Sequence, residues 1–131
     1  MMKNAIKILS FMLVGLVAYS SPMHAQNDMK DKVLRHVVLF KFKDTATSED
    51  IMKVCEAFEG LQDEIGEIKA FEWGENNSPE GLNQGLSHCF LADFHSEADR
   101  DAYLIHPAHK KFGALLGPFL DKVTVVDYWK H

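Results

Sequence analysis

Cysteine and long apolar runs are both scarce in this 131-residue sequence, and each scarcity excludes a class of protein. The two cysteines, Cys55 and Cys89, do not form a C-x-x-C motif, so a thioredoxin-like redox function is not supported. The longest apolar run, residues 8–18, is about half the roughly 20 residues that a transmembrane helix needs. The sequence therefore indicates one small domain without an ordinary transmembrane helix.

The N-terminus has the pattern of a cleavable signal peptide. Lys3 and Lys7 form a short positive region, the apolar run follows, and Pro22 interrupts a polar segment of small residues. This order of charge, apolar core and small residues is typical of secretory signals. We therefore predict a signal peptide over residues 1–25.

Cleavage after Ala25 would leave residues 26–33 as a flexible polar lead-in to a domain at residues 34–131. Met23 is larger than the residue usually found three positions before the cleaved bond, and an uncleaved N-terminal anchor is the alternative. No cysteine lies near this bond, which excludes a lipid anchor there. The predicted location is periplasmic or secreted, with no membrane association after cleavage.

The charge balance excludes one large class of partners. The formal net charge is −5, and removing residues 1–25 deletes two lysines and no acidic residue, which gives −7. An acidic domain repels phosphate backbones, and the sequence contains no run of basic residues that would reverse this. Nucleic acid is therefore not an expected partner.

The apolar periodicity predicts alternating strands and helices. Helix caps are expected at Thr47 or Ser48 and at Ser96, and Pro107 should divide the second helix. The order is β-α-β-β-α-β, a ferredoxin-like α+β fold with helices on one face of a four-stranded antiparallel sheet. The predicted strands are 34–42, 67–73, 86–94 and 123–129, and the last helix segment is 107–116.

The strands carry apolar residues on both faces of the sheet. In the first strand, Val38 and Phe40 lie on one face, and Val37 and Leu39 on the other. Helices cover only one face in this fold, and large exposed apolar patches are uncommon on monomers. We therefore predict a two-fold homodimer whose uncovered sheet faces pack together.

Four histidines are candidates for a functional role. His36 and His88 begin the apolar faces of two strands, while His106 and His109 flank Pro107. A histidine at a helix N-terminus is kept neutral by the positive end of the dipole, so His109 could act as a general base near pH 7. The hydroxyl of Tyr103 could polarise a substrate carbonyl.

Structural roles and metal binding are the alternatives for these histidines. His106 could be a helix cap, and His36 and His88 could be hydrogen-bonded core residues. Zinc or copper binding is disfavoured, because no two histidines have the i, i+4 spacing of a helical metal site and no carboxylate is placed among them. The cysteines are expected to be unpaired small hydrophobes on opposite sides of the sheet.

Several ordered segments resemble the stress-responsive A/B barrel (Dabb) family, and together they span residues 34–129. The resemblance implies a dimeric α+β barrel, and most members of that family have no assigned reaction. Some members are linked to stress responses. The segments that carry the resemblance are 35–43 (RHVVLFKFK), 71–74 (FEWG), 86–88 (LSH), 103–109 (YLIHPAH) and 127–129 (DYW).

One branch of the family resembles polyketide cyclases, which perform an intramolecular aldol condensation without a cofactor. There, the histidine matching His109 is the general base and the tyrosine matching Tyr103 assists the substrate. The resemblance also implies that His36 and His88 lie in the same cavity. On the first helix, the pocket face would offer the ligand-binding residues Val54 and Phe58.

The favoured hypothesis is an exported homodimer that binds a small apolar or aromatic ligand, with no cofactor and no assigned reaction. The second hypothesis is a cofactor-independent enzyme of the aldol type that uses His109 and Tyr103. A barrel similar to quinol-type monooxygenases is a third hypothesis, and a structural dimer with a stress role is a fourth.

Overall fold

The computed structural model describes residues 32–131. The predicted signal peptide and most of the predicted lead-in lie outside the described residues. Within the described part of the chain, no helix is both long enough and apolar enough to cross a membrane.

Strands and helices alternate along the described residues as the sequence predicts. A 3₁₀ turn at Gly117–Phe119 joins the last helix to the last strand. In chain order the elements are β1 (Leu34–Phe42), α1 (Ser48–Glu59), α2 (Leu61–Glu64), β2 (Ala70–Glu75), β3 (His88–Phe94), α3 (Glu97–Ile105), α4 (Pro107–Leu116) and β4 (Leu120–Trp129).

The strands form one antiparallel sheet in the order β2-β3-β1-β4. This order, with the helices on one face, confirms the predicted ferredoxin-like fold. The register places His36 of β1 between Ala92 of β3 and Asp127 of β4. Because β4 pairs only with β1, it is an edge strand of the sheet.

Three of the predicted strands have boundaries that are wrong by two or three residues. The strand predicted at 67–73 is Ala70–Glu75, because Ile65 and Ile68 close a turn through a backbone hydrogen bond and bury both side chains. The third strand begins at His88 rather than residue 86. The fourth begins at Leu120 rather than residue 123, where a bulge opposite β1 extends the pairing.

Local signals in the sequence explain where the helices begin. The Thr47 side chain accepts the amide of Asp50, and the Asp50 carboxylate accepts the amide of Thr47, which completes a capping box for α1. At the α3–α4 junction, His106 has an extended backbone and its Nδ1 accepts the amide of Ala108. The proline at the first position of α4 favours this break, so the chain turns there instead of continuing α3.

The core lies between the sheet and the helices. Alternate residues of β1 and β3 face the helices and are buried, as the period of two requires. Phe58 of α1 sits at the centre of an aromatic cluster with Phe40, Phe90 and Phe112. Burial of these rings stabilises the packing of the helices on the sheet.

The opposite face of the sheet has no helix over it and is called the open face below. It carries Val37, Leu39, Leu91 and Val126, and Val126 is 52% exposed. Cys89 lies on this face, whereas Cys55 is buried on the core side of α1. The sheet therefore separates the two thiols, and both are free within residues 32–131.

Candidate functional site

A cleft of about 470 Å³ lies on the helix-facing side of β1 and β4, beside α3 and α4. It exists because the helices stop short of the edge strand and leave Val123 and Val125 46% and 51% exposed on their inward face. Its volume is within the range of small-molecule sites. Its apolar walls include Val38, Phe58, Phe112, Leu116, Val123 and Val125.

His109 lines the cleft from the first turn of α4. Its Nδ1 lies 3.1 Å from the carbonyl oxygen of Leu104, and because a carbonyl can only accept, Nδ1 carries the proton. The other ring nitrogen, Nε2, is then an acceptor. Burial lowers the pKa of His109, which favours the neutral ring near pH 7. The arrangement suits a general base.

Tyr103 of α3 packs against both histidines of the cleft. Its ring centroid lies 4.5 Å from that of His109 and 5.6 Å from that of His36. Burial, and next the charge of Asp127, raise the pKa of Tyr103, so its hydroxyl stays protonated. The hydroxyl can therefore donate a hydrogen bond to an acceptor bound in the cleft.

His36 is held by a carboxylate. Its Nδ1 lies 2.6 Å from Oδ1 of Asp127, the residue opposite it on β4. The second oxygen, Oδ2, accepts from an Nη of Arg100 at 2.9 Å, and the Nε of Arg100 donates to Asp101 at 3.0 Å. These carboxylates raise the pKa of Arg100, which keeps its guanidinium charged. The polar end of the cleft is thus a connected set of hydrogen bonds.

His88 does not join this group, although it faces the same side of the sheet. It pairs with Phe40, which lies four residues along β1 from His36. The two histidines are therefore about 13 Å apart along the strand direction. Its Nδ1 lies 2.8 Å from Oγ of Ser87, its ring stacks on Trp73, and burial lowers its pKa. The expectation that both imidazoles share one cavity is therefore not met within residues 32–131.

The remaining predicted residues divide between the cleft and the core. Phe58 lines the cleft, but Val54 is fully buried against the sheet and does not reach it. His106 acts as the helix cap described above. The geometry thus brings together His36, Phe58, Tyr103 and His109, and it leaves Val54 and His88 outside.

Two residues of the cleft, Asp127 and Arg100, were not singled out from the sequence. Asp127 could have been recognised, because an acidic residue inside the β-branched and aromatic strand 123–129 needs a partner if it is to be even partly buried. Arg100 gives no comparable signal, since arginine is common on exposed helices. Its role depends on the packing of α3 against the end of β4.

A larger hollow of about 640 Å³ lies on the open face, under the loop at residues 76–87. Its floor includes Leu39, Leu91 and Thr124, and Ser87 and His88 lie at its rim. The pair of oriented histidines lies in the smaller cleft, which is therefore the better candidate site. Nowhere in residues 32–131 do three histidine, cysteine or acidic side chains converge as a metal site would require.

Comparisons with known proteins match the domain as a whole to one family. The family model for the stress responsive A/B barrel domain matches residues 34–130. The stress-response A/B barrel domain-containing protein HS1 of Arabidopsis thaliana is 39% identical over 72% of this chain and 87% of its own length. Olivetolic acid cyclase of Cannabis sativa is 28% identical over 72% of this chain and 94% of its own.

Solved structures of similar chains share the fold. The hydroxynitrile lyase of Passiflora edulis superposes with a TM-score of 0.71 at 26% identity, over 76% of this chain and 94% of that one. A ferredoxin-like protein from Thermobifida fusca, described as dimeric and of unknown function, gives 0.62 at 30% identity over 74% and 90%. With its fold, its ordered motifs and nearly all its described residues matched, this chain belongs to the stress-responsive A/B barrel (Dabb) family.

Proposed function

We propose that this protein binds a small, largely apolar ligand in the cleft, with a carbonyl or similar acceptor group at the polar end. The main support for this proposal is that an apolar cleft of about 470 Å³ has several polar groups converging at one end. The apolar walls would hold the body of an aliphatic or aromatic ligand. Tyr103 and the two histidines would orient its polar group.

Proton transfer without a cofactor is the second candidate function, and the orientation of His109 favours it. With Nδ1 donating to Leu104, the free Nε2 can remove a proton from the carbon next to a carbonyl. The hydroxyl of Tyr103 would donate to the carbonyl oxygen as negative charge develops there. Two relatives are named as a cyclase and a lyase, which supports chemistry at this fold.

A homodimer formed through the open face is part of the same proposal. The face is apolar, it lacks a covering helix, and structural neighbours are described as dimeric. A two-fold axis would bury the same patch on both protomers. The cleft lies on the other side of the sheet and would stay open in such a dimer.

A pair of matched substitutions on β4 separates the ligand proposal from the dimer proposal. Val123→Glu places a charge in the cleft, and Val126→Glu places one on the open face; the two valines are 46% and 52% exposed. We expect Val123→Glu to remain dimeric and lose ligand binding. Val126→Glu should become monomeric, because a buried unpaired charge opposes association.

Binding would be measured by thermal shift against small aromatic ketones and β-dicarbonyl compounds, and size by light scattering. A compound at about 100 times its Kd should raise the Tm of the wild type by roughly 10 °C. Each variant serves as the folding control for the other, because both place a glutamate at a half-exposed valine of β4. A wild type that no compound stabilises would contradict the ligand proposal, and a monomeric wild type would contradict the dimer.

Export to the periplasm or the medium is also a proposal, and it rests on the sequence of residues 1–25. Expression of the full chain in a bacterial host should yield a mature protein that begins at Gln26. Intact-mass measurement of the extracellular and periplasmic fractions checks this result. A full-length protein that stays with the membrane fraction would instead support the uncleaved anchor.

A further inference from the structure

Asp127 and Arg100 form a hydrogen-bonded chain that ends on a histidine in the cleft. The carboxylate of Asp127 uses one oxygen for His36 and the other for Arg100, at 2.6 and 2.9 Å. We propose that Asp127, held by Arg100, is a positioning residue that makes Nε2 of His36 a second proton-transfer atom beside His109. This inference rests on the proposed acid–base function.

The hydrogen bond to Asp127 determines which nitrogen of His36 is free. An ionised carboxylate only accepts, so Nδ1 of His36 carries a proton and donates it. Within the described residues, every fully buried side-chain nitrogen or oxygen has a hydrogen-bond partner. Nε2 of His36 makes no hydrogen bond there, so it is not fully buried. Nε2 is therefore accessible, and since His36 lines the cleft, a ligand can reach it.

Arg100 holds the carboxylate of Asp127, and this carboxylate orients the ring of His36. Its guanidinium lies between Asp127 and Asp101, at 2.9 and 3.0 Å, so it has little freedom to turn away. With both oxygens of Asp127 engaged, rotation of the carboxylate would break two hydrogen bonds. This is the arrangement in which a base is oriented by a third group.

Two proton-transfer atoms at one cleft define a class of substrate: a ketone or β-dicarbonyl compound with an acidic hydrogen next to its carbonyl. The C–H bond breaks, the proton passes to Nε2 of His109, and the electron pair forms a C=C bond as the carbonyl electrons move to oxygen. That oxygen accepts a hydrogen bond from the hydroxyl of Tyr103, and the proton on His109 passes on to the free Nε2 of His36. The product is the enolate, His109 is left neutral, and His36 is left doubly protonated with its Nδ1–H facing the carboxylate of Asp127.

Asp127→Asn gives a sharp test, because Arg100 decides how the new amide turns. Arg100 can only donate, so it should take the amide oxygen and leave the NH₂ group facing His36. Nδ1 of His36 must then accept, and the proton moves to Nε2. The double variant Arg100→Gln with Asp127→Asn frees the amide to turn its oxygen back and should restore the Nδ1–H tautomer.

Imidazole ¹⁵N NMR on the ligand-free protein reads these tautomers directly. We expect Nδ1–H for His36 in the wild type, Nε2–H in Asp127→Asn and Nδ1–H again in the double variant. A wild-type ring with its proton on Nε2 overturns the proposal, even if the variants fail to fold. An unchanged tautomer in Asp127→Asn also overturns it.

The chemical role is read by hydrogen–deuterium exchange at the carbon beside the carbonyl of 1-phenyl-2-propanone in D₂O. We expect Asp127→Asn to lower kcat for exchange about 100-fold or more with little change in KM. Asp121→Asn is the control, since Asp121 lies on the same strand and pairs with Lys41 outside the cleft.

The outcomes distinguish this inference from the function on which it rests. A tautomer that switches while exchange continues at the wild-type rate overturns His36 as a proton-transfer group and leaves His109 in place. A wild type without exchange overturns both roles in proton transfer. The ligand-binding proposal is decided separately by the thermal shifts.

Discussion

Phe58→Ala should lower the free energy of unfolding by about 3–5 kcal/mol, the range measured for removing a buried phenylalanine side chain. The ring of Phe58 is almost fully buried, and its centroid lies 4.7 Å from that of Phe90 and 4.5 Å from that of Phe112. It therefore joins α1 both to the sheet and to α4. Since domains of this size are stable by only about 5–15 kcal/mol, this loss would leave a small margin.

Urea unfolding followed by circular dichroism measures this loss. Met52→Ala is the matched control, because Met52 lies on the same helix and is 46% exposed. An exposed substitution of this kind should change stability by about 0.5 kcal/mol or less. If Phe58→Ala cost no more than the control, the aromatic cluster would not be what attaches α1 to the sheet.

Phe58→Ala should also change the cleft, since Phe58 forms part of its wall. Removing the ring enlarges the apolar space next to Phe112, so a larger aromatic ligand should gain affinity relative to a smaller one. Competition between ligands of increasing ring size in the wild type and the variant checks this direction.

His109→Gln should reduce proton exchange at the carbon beside a bound carbonyl about 10²- to 10⁴-fold, the usual contribution of a general base. The glutamine amide can still donate to the carbonyl of Leu104 and pack against Tyr103, so the cleft should stay formed. Ligand binding should therefore weaken much less than exchange, because the apolar walls and Tyr103 still hold the ligand. His95→Gln, at an exposed position, is the control.

The pH dependence of exchange follows from the same residue. Burial places the pKa of His109 below its ordinary value of about 6.5, so the neutral base is fully present above that pH. Exchange should stay level from neutral pH down to about 6.5 and fall as the pH drops through the lowered pKa. A rate that instead falls as the pH rises through this range would contradict His109 as the base.

The same shift affects stability, with a definite sign. The unfolded chain binds a proton near pH 6.5, while folded His109 and His88 resist protonation until a lower pH. The unfolded state therefore holds more protons in that window, and stability rises with pH through it. The stability that depends on the two neutral histidines is complete above about pH 6.5 and is lost on acidification. In His109→Gln, the free energy of unfolding should therefore fall less as the pH is lowered.

Much of the candidate site could be predicted from residue patterns. The motif around Pro107 placed His109 and Tyr103 on either side of a helix break, and the structure brings the two rings to 4.5 Å. His88 shows the limit of such reasoning. The period of two correctly put it on the same face as His36, but only the strand register shows that they lie about 13 Å apart along the strand direction.

The sequence by itself determined the order of strands and helices, the alternation that buries one sheet face, and the break at Pro107, because each depends on neighbouring residues. Only the tertiary structure decided the cleft, since the cleft exists where the helices fail to cover β4. The pairing of His36 with Asp127 joins residues 91 positions apart, and their contact with Arg100 depends on how α3 packs. No local pattern encodes such long-range contacts, because they arise from the sheet register and the packing of whole elements.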